Sequence, residues 1–230
     1  MGRRLIAFGD LHNNLLRLRL AFNQPRRPVP RDADLIQGDA YLVAAHAAVE
    51  FYFEELCRKA VYASLWRYKT AGTVNKVLHA LVGCGFHREV LNLPRGADPF
   101  ASGVEQLKKA VDWYVKRLDE NNGVKRNNLL AILLPLGFIE TDFDPVWLAS
   151  MDSFGQGRGD TAHGRPTSSF GRSSLSLTAA NATATVHVWS EQAIRTRVAL
   201  SPWDVAQLIS GLTPEMLAWD RRLGAQISAE

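Results

Sequence analysis

Apolar residues recur at helical spacing along most of the chain, and they predict a helical protein. From Asp34 to Trp66 the pattern is apolar nearly all round, as expected of a helix buried in the middle of a bundle, with Glu54–Arg58 and Glu55–Lys59 spaced for pairs four apart. A shorter helix is expected from Thr73 to Val82. Ser102 is a plausible cap for a helix running to about Asp119, with Val104, Leu107, Val111, Tyr114, Val115 and Leu118 on its inner side. Asn121-Asn122-Gly123 marks a stop and turn. Lys125 and Arg126 open the next helix, which reaches Leu136 and ends at Gly137. Asp144-Pro145 then reads as a cap followed by a first-turn proline, with Trp147, Met151 and Phe154 on one stripe.

Past residue 164 the texture changes. Residues 164 to 184 are rich in Ser, Thr, Gly and Ala and predict a mobile loop, while 185–189 and 195–200 alternate as two short strands of a hairpin. Ser201-Pro202-Trp203-Asp204 starts a further helix, and Thr213-Pro214-Glu215 a separate last one. Leu15, Leu16, Leu18, Leu20 and Phe22 predict a short amphipathic helix near the start, broken by Pro25, Pro28 and Pro30. The expected organisation is therefore all-α: a basic arm over 1–31, then a helical domain over 32–230 with a flexible insert at about 164–200.

Composition adds limits. With 47% apolar and 22% charged residues among 230, the chain describes an ordinary globular protein with a substantial core. A net charge of +4 permits an acidic partner such as RNA without demonstrating one. Two cysteines, Cys57 and Cys84, build neither a disulfide framework nor a structural zinc site, which favours a reducing interior. No run of about 18 apolar residues and no signal-peptide pattern occurs, so a cytoplasmic protein without membrane contact is expected.

Candidate chemistry concentrates in Arg158-Gly159-Asp160-Thr161-Ala162-His163. A guanidinium clamps two phosphate oxygens and an imidazole gives or takes a proton near neutrality, which together suffice for phosphodiester chemistry without a metal. Residues five apart on a helix are turned about 140° from one another. Convergence then requires Gly155, Gly157 and Gly159 to loosen the helix, or a second copy of the chain to complete the site.

The segment Phe154-Gly155-Gln156-Gly157-Arg158-Gly159-Asp160-Thr161-Ala162-His163-Gly164 resembles the Arg, four-to-six residues, His-Gly signature of HEPN domains, particularly the RiboL-PSP-HEPN branch. Ala44 to Leu56, with Glu50 inside an apolar run, resembles the long first helix of such domains. Asn127 to Phe138 resembles the segment before the motif helix, and the likeness spans about residues 35 to 165. The resemblance implies a homodimer of helical bundles cleaving RNA, with no cofactor and no metal. Arg158 and His163 would be catalytic and Asp160 would orient one of them; Arg165, Lys125 and Arg126 are either candidates for holding the RNA backbone or solvated surface charges. It further implies a toxin–antitoxin or phage-defence setting, with an antitoxin or associated defence protein as partner. The chain departs from the pattern at Gly159, where many members carry a polar residue and where Asp160 is the candidate replacement.

Two other readings compete. One is a non-catalytic RNA-binding or dimerisation module of the same fold, which Gly159 favours. The other is a calcineurin-like metallophosphoesterase, since Gly9-Asp10-Leu11-His12 mimics the first metal-binding motif of that family, although the remaining motifs are missing. His46 and Glu50, four apart, share a face and read as a satisfied interior pair rather than as metal ligands.

Overall fold

The computed structural model describes residues 7–22, 29–89, 103–162, 172–179, 182–189 and 200–228. Among these, seven helices form an all-α bundle, α1 Phe8–Ala21, α2 Asp32–Ala71, α3 Lys76–Glu89, α4 Gly103–Asp119, α5 Arg126–Leu133, α6 Pro145–Ala162 and α7 Pro202–Ser228. A small hairpin, β1 Arg172–Ala179 and β2 Ala182–Trp189, lies between α6 and α7 in sequence. Two 3-10 turns, Leu134–Leu136 and Glu140–Asp142, link α5 to α6.

The 40-residue α2 runs through the middle and packs on all six other helices. At 1.5 Å per residue it is about 60 Å long, longer than a small domain is wide. Its apolar positions are buried on several sides, among them Tyr41, Leu42, Ala45, Val49, Phe53, Leu56, Ala60 and Val61. It starts where the Asp34 carboxylate accepts the Arg31 backbone N–H at 2.9 Å. It stops at Gly72, whose φ of 70° lies in the left-handed region that favours glycine.

Several ends fall where the local chemistry put them. Asp144 accepts the Val146 N–H at 2.8 Å with Pro145 in the first turn of α6. Ser201 and Asp204 cap α7 reciprocally: the Asp204 carboxylate accepts the Ser201 N–H at 3.0 Å, and the Ser201 hydroxyl accepts the Asp204 N–H at 3.4 Å. Asn121 donates to Glu54 at 2.9 Å, and Gly123 takes a φ of 120° in the expected turn. On α4 the inner stripe is Leu107, Val111, Tyr114 and Leu118, whereas Val104 is exposed in the opening turn.

Other expectations need correction. Over residues 7–22 the expected basic arm is not a separate leader, because Phe8, Leu11 and Leu15 of α1 are buried in the common core. The carboxylate of buried Asp220 on α7 accepts the N–H groups of Ala7 and Phe8 at 2.7 and 2.8 Å, so a distant side chain serves the free amides at the start of α1. The third helix begins at Lys76 rather than Thr73, because Asn75 supplies the cap, accepting the Leu78 N–H at 3.1 Å. Residues 202–228 form one helix and not two. Pro214 removes one N–H, but Leu212, Met216 and Trp219 are all buried on the same face, and this packing carries the helix through. Finally, Arg58 pairs with Glu55 at 3.1 Å and Asp119 at 2.9 Å instead of Glu54, and Lys59 with Asp10 at 3.4 Å instead of Glu55.

The hairpin is displaced from its expected position. β1 pairs antiparallel with β2 from Arg172 opposite Trp189 to Ala179 opposite Ala182; β1 and the start of β2 fall in the stretch read as loop, while the expected strand 185–189 lies within β2. Leu175 and Leu177 alternate with Ser174, Ser176 and Thr178, a strand pattern that the Ser- and Thr-rich composition masks. The other expected strand, 195–200, lies outside the described residues except for Leu200, which is not in a strand.

Candidate functional site at the junction of α2 and α6

The stripe Trp147, Leu148, Met151 and Phe154 buries α6 against the core. Trp147 packs on Phe53 at a ring separation of 6.0 Å and Phe154 on His46 at 5.4 Å. A Cβ on Gly157 would stand 3.2 Å from Leu42 Cδ2. Rising numbers on α6 thus meet falling numbers on α2, so the two helices are antiparallel and the end of α6 lies toward the start of α2.

The glycines do not loosen α6, which stays helical from Pro145 to Ala162. Their effect is proximity. A Cβ on Gly155 would lie 2.7 Å from Lys125 Cγ, so the absence of a side chain lets the Lys125 stem lie across the helix. Gly157 lets Leu42 approach in the same way. Arg158 follows Phe154 by four residues and Gly155 by three, about 40° and 60° around the axis. Its half-buried side chain therefore leaves the helix between the face on α2 and the face under Lys125.

His46 floors this crevice. It is 2% exposed, and its Nδ1 stands 3.6 Å from Glu50 Oε2, too far for a hydrogen bond; Nδ1 has no hydrogen-bond partner among the described residues. The expected satisfied pair is therefore a near contact, because the i,i+4 geometry leaves the carboxylate short of the ring nitrogen. Burial first, then the positive charges of Arg158 and Lys125, push the imidazole down to about 4. At neutral pH His46 is uncharged, and two cations flank it.

Arg158 and Lys125 are thus the two cations whose charges reach His46. Arg126 is not available in the same way: its backbone N–H donates to Asp152 at 2.7 Å and its guanidinium pairs with Glu140. Asp160 falls in the last turn of α6, but its side chain lies outside the described residues, as do His163 and Arg165 entirely. Among the described residues neither Arg158 nor Lys125 makes an ion pair. His46 as the floor of the crevice was missed by sequence reasoning, and only its charge-bearing neighbours far along the chain could have signalled it.

The second motif does not form a metal site. Gly9-Asp10-Leu11-His12 lies within α1 and not in a turn after a strand. Residues two apart on a helix point about 200° apart, so Asp10 and His12 diverge. Asp10 pairs with Lys59, and His12 stacks on Phe8 at 6.2 Å. The phosphoesterase reading loses its geometric basis. Among the described residues no group of three or more His, Cys, Asp or Glu side chains is placed to hold a metal ion, and no helix is long and apolar enough to cross a membrane. Comparison of the chain with family models, curated proteins and solved structures finds no match.

Proposed function

We propose that the chain is a HEPN-like endoribonuclease that cleaves RNA without a metal, acting as a homodimer in which two motif helices face one another. The observation that carries this reading is that the charges of Arg158 and Lys125 both bear on buried His46, while neither makes an ion pair among the described residues. A guanidinium flanked by a second cation keeps its donors for an oxyanion, and a phosphodiester fits both. His163 takes the proton from the ribose 2′-hydroxyl, whose oxygen attacks phosphorus, or gives one to the departing 5′-oxygen; the products are a 2′,3′-cyclic phosphate and a free 5′-hydroxyl. Arg158 neutralises charge growing on the phosphate, Asp160 orients one of the pair, and Lys125 and Arg165 hold the backbone. DNA lacks the attacking hydroxyl and is not cut. A toxin or phage-defence role in the cytoplasm, held in check by an antitoxin or associated defence protein, suits such an activity.

The test is incubation of purified protein with total RNA in EDTA, with end-group analysis. The wild type is expected to leave cyclic phosphates, and His163→Ala to leave none while keeping its circular-dichroism spectrum and RNA affinity. Cleavage that requires a divalent cation, or that survives in His163→Ala, overturns the proposal. Binding without turnover in both proteins would make the chain an RNA-binding module instead.

A further inference from the structure

From Leu56 to Arg88, through the second half of α2 and most of α3, the chain carries no Asp or Glu, while Arg58, Lys59, Arg67, Lys69, Lys76 and Arg88 are cationic. On the outer side of α2 in this stretch stand Lys59, Tyr62, Trp66 and Lys69, spaced three, four and three residues apart and so within about 80° of arc. All four are exposed, Tyr62 to 48% and Trp66 to 68%. Arg58, at one edge of this stripe, reaches Asp119 of α4 at 2.9 Å, and Lys59, at the other, reaches Asp10 of α1 at 3.4 Å. The two neighbouring helices therefore flank the stripe without covering it. The Lys59–Asp10 pair is open to water and correspondingly weak, and Lys69 makes no ion pair among the described residues.

A single exposed ring calls for no explanation, but two on successive turns between two lysines form a unit. At i and i+4 their Cβ atoms are about 5–6 Å apart, and each ring offers a face on which any base can stack. Lys59 and Lys69 stand one turn outside the rings, where the phosphates of a strand laid along the helix would pass. The apolar area is too small for a protein partner. Rings of roughly 150–250 Å² each, exposed to this degree, present about 200–300 Å² together, against about 800 Å² per side in a stable protein interface. Phe51 is exposed on the same line, but about three turns away and beyond the Glu55–Arg58 ion pair. A duplex, whose bases are already stacked on one another, offers these rings no free face.

We propose that this stripe of α2 binds single-stranded RNA, two successive bases stacking on Tyr62 and Trp66 while the backbone passes Lys59 and Lys69. The inference rests on RNA being the substrate and adds a capture site remote from the chemistry, since the stripe lies about 140–220° round α2 from His46. The probe is a fluorescein-labelled 2′-O-methyl oligouridylate of about twelve nucleotides, which lacks the attacking hydroxyl and so reports binding apart from cleavage. Its anisotropy is followed with the full chain in EDTA across a salt series. Trp66→Ala is expected to weaken binding about tenfold and Trp66→Phe to restore most of it, because stacking needs a ring but not that particular ring. Lys69→Gln should lower the slope of log affinity against log salt by about 0.7, the share of one phosphate on a single strand. Affinity for a matching RNA duplex should not depend on Trp66. Binding of the oligouridylate indifferent to Trp66→Ala, or an unchanged salt slope in Lys69→Gln, would overturn the proposal. So would a Trp66→Ala protein that keeps its RNA affinity but loses self-association or adhesion to phosphatidylserine vesicles. Absence of cleavage with this binding pattern intact sinks the ribonuclease reading alone, and cleavage without any Trp66 dependence of binding sinks the capture site alone.

Discussion

Acidification tests the arrangement around His46 most directly. In the unfolded chain the imidazole takes up its proton near pH 6.5, whereas in the fold burial, Arg158 and Lys125 hold it to about 4. The unfolded state therefore binds the proton more readily, and stability falls as pH drops from about 6.5 to about 4, levelling below that. At 1.36 kcal/mol per pH unit, this interval corresponds to about 3 kcal/mol, a large share of the 5–15 kcal/mol that ordinarily holds a domain folded. Urea unfolding of wild type and His46→Gln at pH 7.5, 6, 5 and 4.5 separates this contribution from carboxylates, which titrate alike in both proteins. The difference in stability between the two should shrink by about 3 kcal/mol across the series. Imidazole resonances followed by NMR give the same quantity site by site: the His46 midpoint should lie near 4 and move up in Arg158→Gln and in Lys125→Gln. A midpoint near 6.5, or one indifferent to both substitutions, would refute the crevice as described.

Further outcomes follow from packing. A Cβ on Gly38 would fall 1.7 Å from the Leu200 carbonyl oxygen, so Gly38→Ala forces α2 and the start of α7 apart. The overlap should cost about 1–3 kcal/mol or more, outweighing the roughly 1 kcal/mol gained in helix propensity, whereas Gly83→Ala, with open space around it, should stabilise by about 0.5–1 kcal/mol. Thermal denaturation of the two variants checks the opposite signs, and a stabilised Gly38→Ala would contradict the close approach. Asp220→Ala strands two buried amides of α1 and should lose about 3 kcal/mol, with faster hydrogen exchange from Phe8 to Leu15; unchanged exchange there would mean that α1 is held by its leucines alone.

Signals read within a few residues were legible in the sequence. Asp144-Pro145 and Ser201-Pro202-Trp203-Asp204 start helices because a cap and a first-turn proline act on the nearest N–H groups, and Gly137, at a φ of 92° that suits no other residue well, ends the 3-10 turn that follows α5, which itself stops at Leu133 and not at Leu136. The apolar run of α2 likewise announces a central helix, since a helix wet on one side cannot afford it. Pairings across the chain were not legible. Asp220 meeting Ala7, Lys59 choosing Asp10, and α7 continuing through Pro214 each depend on partners that periodicity does not name.

At the candidate site the division is the same. The sequence by itself determined that Arg158 and His163 stand five residues apart in a glycine-rich stretch. The tertiary structure alone decided that Gly155 and Gly157 serve as contact surfaces for Lys125 and Leu42, that α6 runs antiparallel to α2, and that Arg158 consequently shares a crevice with Lys125 above an uncharged His46. Helical periodicity says which face a residue occupies but not which neighbour that face will meet, and a charge takes its chemistry from the neighbour.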